Sequence, residues 1–72
     1  MKTEQIINKV NEVTARINSI RTRWPYLNTR PADMSMLLAR LSEYRRGIIN
    51  GAKLLGVEIV CADTEGLTYK VA

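Results

Sequence analysis

Along the first third of the chain, five β-branched residues recur at alternating intervals of four and three: Ile6, Val10, Val13, Ile17 and Ile20, with Trp24 next in step. An α-helix puts such positions on one face, and this strict alternation is a heptad seam, a stripe that needs an apolar partner. β-branching slightly lowers helix propensity, so periodicity has to override it. A strand would show one face at every second residue, and Asn8, Asn11 and Asn18 break that alternation. The spacing predicts a helix over residues 3–23, ending where Trp24 precedes Pro25. A residue before proline is pushed out of the α region.

The partner stripe follows a loop at residues 24–30. Pro31 suits a first helical position and Asp33 a first turn, where the helix dipole favours a negative charge. A second helix over 31–55 carries the seam Met34, Leu37, Leu41, Tyr44, Ile48, Gly51 or Ala52, and Leu55. Gly56 stops it. With so short a loop the two helices pack antiparallel as a hairpin. Gly47 and Gly51 each cost about 1 kcal/mol against alanine inside a helix. They either weaken its second half or let another backbone approach.

Beyond Gly56 the period changes from helical to two. Residues 57–62 and 67–72 have strand composition, and Asp63-Thr64-Glu65-Gly66 suits a type I turn with glycine in the left-handed position. A three-residue loop pairs Cys61 with Tyr69 and Ile59 with Val71, which puts every large residue except Val60 on one face. Cys61 is expected as a small buried hydrophobe facing Tyr69. A lone two-stranded hairpin is unstable in water, so its apolar face must lie on the helices or on another chain. The expected fold is a small α+β domain of 72 residues, an antiparallel helical hairpin followed by a C-terminal β-hairpin.

That pattern leaves Met36, Leu38, Ile49 and Leu54 off the second seam. A twofold dimer joining two helical hairpins would bury them, so Leu38 and Ile49 are the expected self-association residues of a homodimer. Apolar residues are 46% of the chain and charged residues 25%, which argues against wholesale disorder. No apolar run reaches bilayer length, so no membrane association is expected. The first residues lack the apolar core of a secretory signal, and one free thiol fits a reducing compartment. The expected location is cytoplasmic.

Function is read mainly from charge. The chain has no histidine, and one cysteine with nothing to activate it. Each of its seven carboxylates has an ordinary structural explanation; Glu12, four residues before Arg16, supports the helix. No catalytic residue, metal site or cofactor is expected, and the protein is read as non-enzymatic. Eleven basic residues against seven acidic ones give a net charge of +4. Lys9, Arg16 and Arg23 lie seven apart on one edge of the first helix, and Arg21 and Arg30 flank the Trp24–Tyr26 turn. The facing edge of the second helix would present Arg40, Gly47 and Leu54; the other edge of the first helix, Ile7, Thr14 and Arg21, would face Leu38, Arg45 and Ala52. Neither offers an acidic complement. Lys9, Arg16, Arg21, Arg23 and Arg30 are therefore the candidate contacts for an acidic protein partner in a small regulatory binding protein. The alternative is weak nucleic-acid binding through the same edge, with exposed rings stacking on bases. On the simpler view Trp24, Tyr26 and Leu27 plug the open end of the helical hairpin.

Overall fold

The computed structural model describes residues 2–72. Helix α1 spans Lys2–Arg23 and helix α2 Ala32–Leu54, with a single 3-10 turn at Leu27–Thr29 between them. Strands β1 (Ile59–Cys61) and β2 (Tyr69–Val71) close the chain as an antiparallel pair. The order helix, helix, strand, strand is the one expected.

Helix α1 buries the seam read from its sequence: Val10, Val13, Ile17 and Ile20, with Thr14 beside them. Burying one such side chain contributes about 1.5–3 kcal/mol, far more than the few tenths that β-branching costs a helix. The buried Thr14 hydroxyl is satisfied locally, donating to the Val10 carbonyl at 2.8 Å. Toward the connecting turn, Val13, Ile17 and Ile20 pack against Leu38 and Leu41 of α2, with Trp24, Met34 and Leu37 at the margin. Toward the other end, Val10 meets Ala52 and Ile59. The start of α1 thus lies beside the end of α2, in an antiparallel pair.

Helix α2 is rotated from the expected orientation. Of the expected seam, Leu41 and Ala52 are buried and Met34, Leu37 and Ile48 half-buried, but Tyr44 and Leu55 are exposed, while Leu38 and the half-buried Arg45 and Ile49 turn inward. The cause is the second layer: the β-hairpin lies against one flank of the helical pair and draws in Ile49 and Ala52. Leu38 (8% exposed) and Ile49, expected to await a second copy, are packed in the chain's own core. Met36 and Leu54 stay exposed. Pro31 sits one place earlier than expected, as the residue capping α2, with its carbonyl accepting from the Ser35 N–H at 3.0 Å.

Gly56 ends α2 as expected, with φ +86°. The Gly56 N–H donates to Lys53 O at 3.0 Å and the Val57 N–H to Ala52 O at 2.9 Å. These two bonds make a Schellman motif, and Val57 packs beside Ala52. Val57 is thereby spent on the helix end, one reason β1 is shorter than its apolar run. The ladder still extends past both strand ends, through Ala62 N–H to Thr68 O at 2.9 Å and Ala72 N–H to Glu58 O at 2.8 Å. Its register is the expected one, Ile59 with Val71 and Cys61 with Tyr69.

Gly66, at φ +71°, takes the left-handed turn position. The Asp63 carboxylate accepts from the Leu67 N–H (2.9 Å) and the Thr68 hydroxyl (3.0 Å). The bond from Leu67 N–H, more than any other contact, holds the Asp63 carboxyl below its ordinary pKa.

Alternate pairs of an antiparallel ladder exchange hydrogen bonds. Ala62 with Thr68 and Glu58 with Ala72 are bonded pairs, so at Tyr69 the N–H and C=O point away from β1. Asn11 takes both: the Tyr69 N–H donates to Asn11 Oδ1 at 2.7 Å, and Asn11 Nδ2 donates to Tyr69 O at 3.3 Å. One side-chain amide of α1 stands in for a third strand. Replacing Asn11 by Ala should destabilise the fold by about 1–2 kcal/mol, since two part-buried backbone groups lose their partner. Hydrogen exchange should show the Tyr69 amide losing more protection than the Ile17 amide.

Gly47 has nothing of this chain within 4 Å of where a Cβ would stand. Gly47→Ala should therefore raise stability by about 1 kcal/mol, or about 4–8 °C in Tm. A thermal melt followed by circular dichroism checks this; no rise would mean that the glycine serves the fold itself.

Candidate binding face

The β-hairpin covers the flank of the helical pair that carries Ile7, Asn11 and Thr14 on α1 and Arg45, Ile49 and Ala52 on α2. The opposite flank is uncovered. Two depressions lie along it. One, of about 540 Å³, is floored by Ile6, Tyr44 and Ile48 and rimmed by Lys2, Gln5 and Lys9. The other, of about 390 Å³, lies between Arg16, Ser19 and Ile20 of α1 and Leu37 of α2. Lys9 and Arg16 are seven residues apart, as are Tyr44 and Leu37, so the depressions follow each other at heptad spacing along one interhelical groove.

The expected basic edge forms one rim of this groove. Lys9 and Arg16 are exposed there. Arg23 continues the edge, with its guanidinium over the Trp24 ring at 5.0 Å. Lys2, not among the expected contacts, precedes Lys9 by another seven residues and lines the same depression, so the spacing carries the signal. Among the described residues one ion pair forms, between Lys9 and Glu12 at 3.8 Å. Glu12 thus answers Lys9 and not Arg16. Lys9 Nζ also lies 6.0 Å from the centre of the Tyr44 ring. Both partners of the pair are exposed, so it contributes at most about 1 kcal/mol and leaves most of the edge's charge unanswered.

Arg21 and Arg30 part company with this edge. Arg21 is exposed but lies on the other flank of α1, five residues past Arg16. Arg30 is half-buried and clasps the turn: Nη2 donates to the Trp24 carbonyl at 3.1 Å, just past the end of α1, while its Nε is buried without a partner. A cation there suits the negative end of the helix dipole. Of the three residues expected to plug the turn end, Trp24 alone packs on the core. Tyr26 (71%) and Leu27 (73%) are exposed, because the connecting turn carries them out past the start of α2.

Arg45 is spent inside the fold. Nη1 donates to Thr14 Oγ1 at 3.2 Å, the contact across the second edge that the sequence had set opposite it. Its guanidinium also lies over the Tyr69 ring at 5.4 Å. Burial pushes the Tyr69 phenol above its ordinary pKa; the Cys61 thiol adds to this and the Arg45 cation opposes it. Cys61 itself is exposed, contrary to expectation. Ile59 and the larger Tyr69 reach the helical surface under the hairpin, while the short Cys61 side chain opposite Tyr69 is left exposed.

No helix among the described residues is long and apolar enough to cross a membrane. Comparison with protein-family models, curated proteins and solved structures finds no match.

Arg45 and the basic edge should separate cleanly by mutation. A part-buried cation without a carboxylate is costly, and hydrophobic replacements of buried charged groups are often neutral or stabilising. Arg45→Met should change stability by less than about 1 kcal/mol in chemical denaturation; a loss above about 3 kcal/mol would show that the stacked cation is essential to docking the hairpin.

Proposed function

We propose that the protein is a small, non-enzymatic binding protein of the cytoplasm that engages an acidic protein through the flank its β-hairpin leaves open. The observation that carries this reading is the uncompensated charge along that flank. Lys2, Lys9, Arg16 and Arg23 repeat at seven-residue intervals, Arg40 is exposed on α2, and one weak contact to Glu12 is the only acidic answer among the described residues. Charges left in water contribute little to folding, within about 0.5 kcal/mol each. They act instead on encounter rate and partner selection. An exposed thiol at Cys61 fits a reducing compartment.

A second copy is a poorer occupant of this flank. It would set the same basic rims against each other, and like charges brought together suppress association. Homodimerisation through Leu38 and Ile49 would also require opening each chain's own core. The nucleic-acid reading keeps one favourable observation, the exposed Tyr26 beside the arginines of the turn end. Exposed rings can stack on bases there, next to donors for phosphate.

Reversing Arg16 and Arg23 together to Glu should leave Tm within about 2–4 °C of wild type, as expected for exposed positions. In nuclease-treated lysate the wild-type chain should retain a protein partner that the double variant loses. Salt-steep retardation of generic DNA or RNA by the wild type, with no protein retained, would replace this reading with the nucleic-acid one. Unfolding of the double variant would make these arginines structural.

A further inference from the structure

Resting on the acidic-partner reading, we infer that the open groove seats one amphipathic, acidic α-helix of that partner, completing a three-helix layer. The first reason is a second apolar stripe on α2. Leu37, Leu41, Tyr44 and Ile48 follow the intervals four, three, four. Leu41 is buried, Leu37 and Ile48 are half-buried, and Tyr44 is half exposed, so this stripe is shared between the core and the groove. A stripe with heptad spacing is the surface that another helix packs into.

Charge supplies the second reason. The groove's rim repeats Lys2, Lys9, Arg16 and Arg23 every seven residues, a rise of about 10.5 Å along α1. A partner helix with apolar a and d positions and Asp or Glu at one flanking position repeats at the same interval. One heptad clock therefore matches floor and rim together. An extended acidic tail would match the charge and leave the apolar floor of Ile6, Tyr44 and Ile48 unused. This chain cannot supply the helix from a second copy, because its own two helices carry no acidic stripe: their carboxylates, Glu4, Glu12, Asp33 and Glu43, do not share a seven-residue repeat.

Surface area agrees. The chain exposes 5353 Å², against roughly 4,500 Å² for a compact monomer of its mass. The excess, about 850 Å², is comparable to the ~800 Å² that one partner commonly contributes to a standard interface. Gly47 and Gly51, on the groove side of α2, have nothing of this chain within 4 Å of a Cβ position. They leave room for a close neighbour.

The test uses the full chain, isotope-labelled, titrated with a synthetic 21-residue peptide carrying Leu at a and d and Glu at e and g. A control peptide has the same composition in an order that destroys the apolar stripe. The helical peptide should bind at least about tenfold more tightly than the control, with amide shifts centred on Ile6, Leu37, Tyr44 and Ile48. Tyr44→Glu and Gly51→Gln should each weaken it by about tenfold or more. Gly51→Gln should at the same time raise Tm, since glutamine is the better helix former, so lost binding cannot be lost folding. Equal binding of both peptides, abolished by the Arg16/Arg23 reversal, overturns the groove while the acidic-partner reading stands. If neither peptide binds at millimolar concentration, the groove proposal fails, and nucleic-acid binding by the same samples would remove the parent reading too. Shifts confined to the turn end or the β1 edge also overturn it, as does a wild-type dimer that Tyr44→Glu dissociates.

Discussion

The two hydrogen bonds between the Asn11 side chain and the Tyr69 backbone hold the two layers in register. Two short strands lack the buried area to persist alone in water, and each outer edge presents N–H and C=O groups that need partners. On β2 the asparagine amide, with one donor and one acceptor at the right separation, does what a neighbouring strand would do. Once it is made, Tyr69 lies on Arg45 and Ile59 lies among Val10 and Ala52. The rotation of α2 follows, because Arg45, Ile49 and Ala52 must face the hairpin. So does the identity of the flank left bare.

That choice divides the basic residues by role. Arg45 and Arg30 are drawn inward, one stacked on a ring and bonded to a hydroxyl, the other bonded to a carbonyl at the end of α1. Both are committed to geometry. Lys2, Lys9, Arg16 and Arg23 stand on the bare flank. The molecule is drawn out to match, 40 Å in its longest dimension, with a radius of gyration of 13.1 Å where a compact chain of this length would have about 11 Å. A helical pair covered on one side only is long and thin, and the uncovered side is where its charge remains available.

Much of this is legible in the sequence. The seam of α1, the stops at Pro25 and Gly56 and the hairpin register follow from spacing and turn chemistry, because each is a local or nearest-neighbour constraint. The basic edge was legible for the same reason, and Lys2 only extends it. Tyr44 is the departure on α2: one turn offers Tyr44 and Arg45 as neighbours, the apolar one suits a seam, and yet Arg45 is the one drawn inward. Cys61 is exposed; alternation fixes which face a residue takes and not whether anything lies opposite it. Asn11 counted only as an interruption of a strand pattern, while its role depends on a residue 58 positions later.

The sequence alone determined the elements, their order and the strand pairing, since helical period, proline, glycine and turn residues act over a few positions. Tertiary structure decided which of the two overlapping apolar stripes on α2 became core. It also decided which arginines were consumed and which flank was left open. Those outcomes depend on where the β-hairpin docks, a long-range contact made by one polar side chain that no periodicity announces.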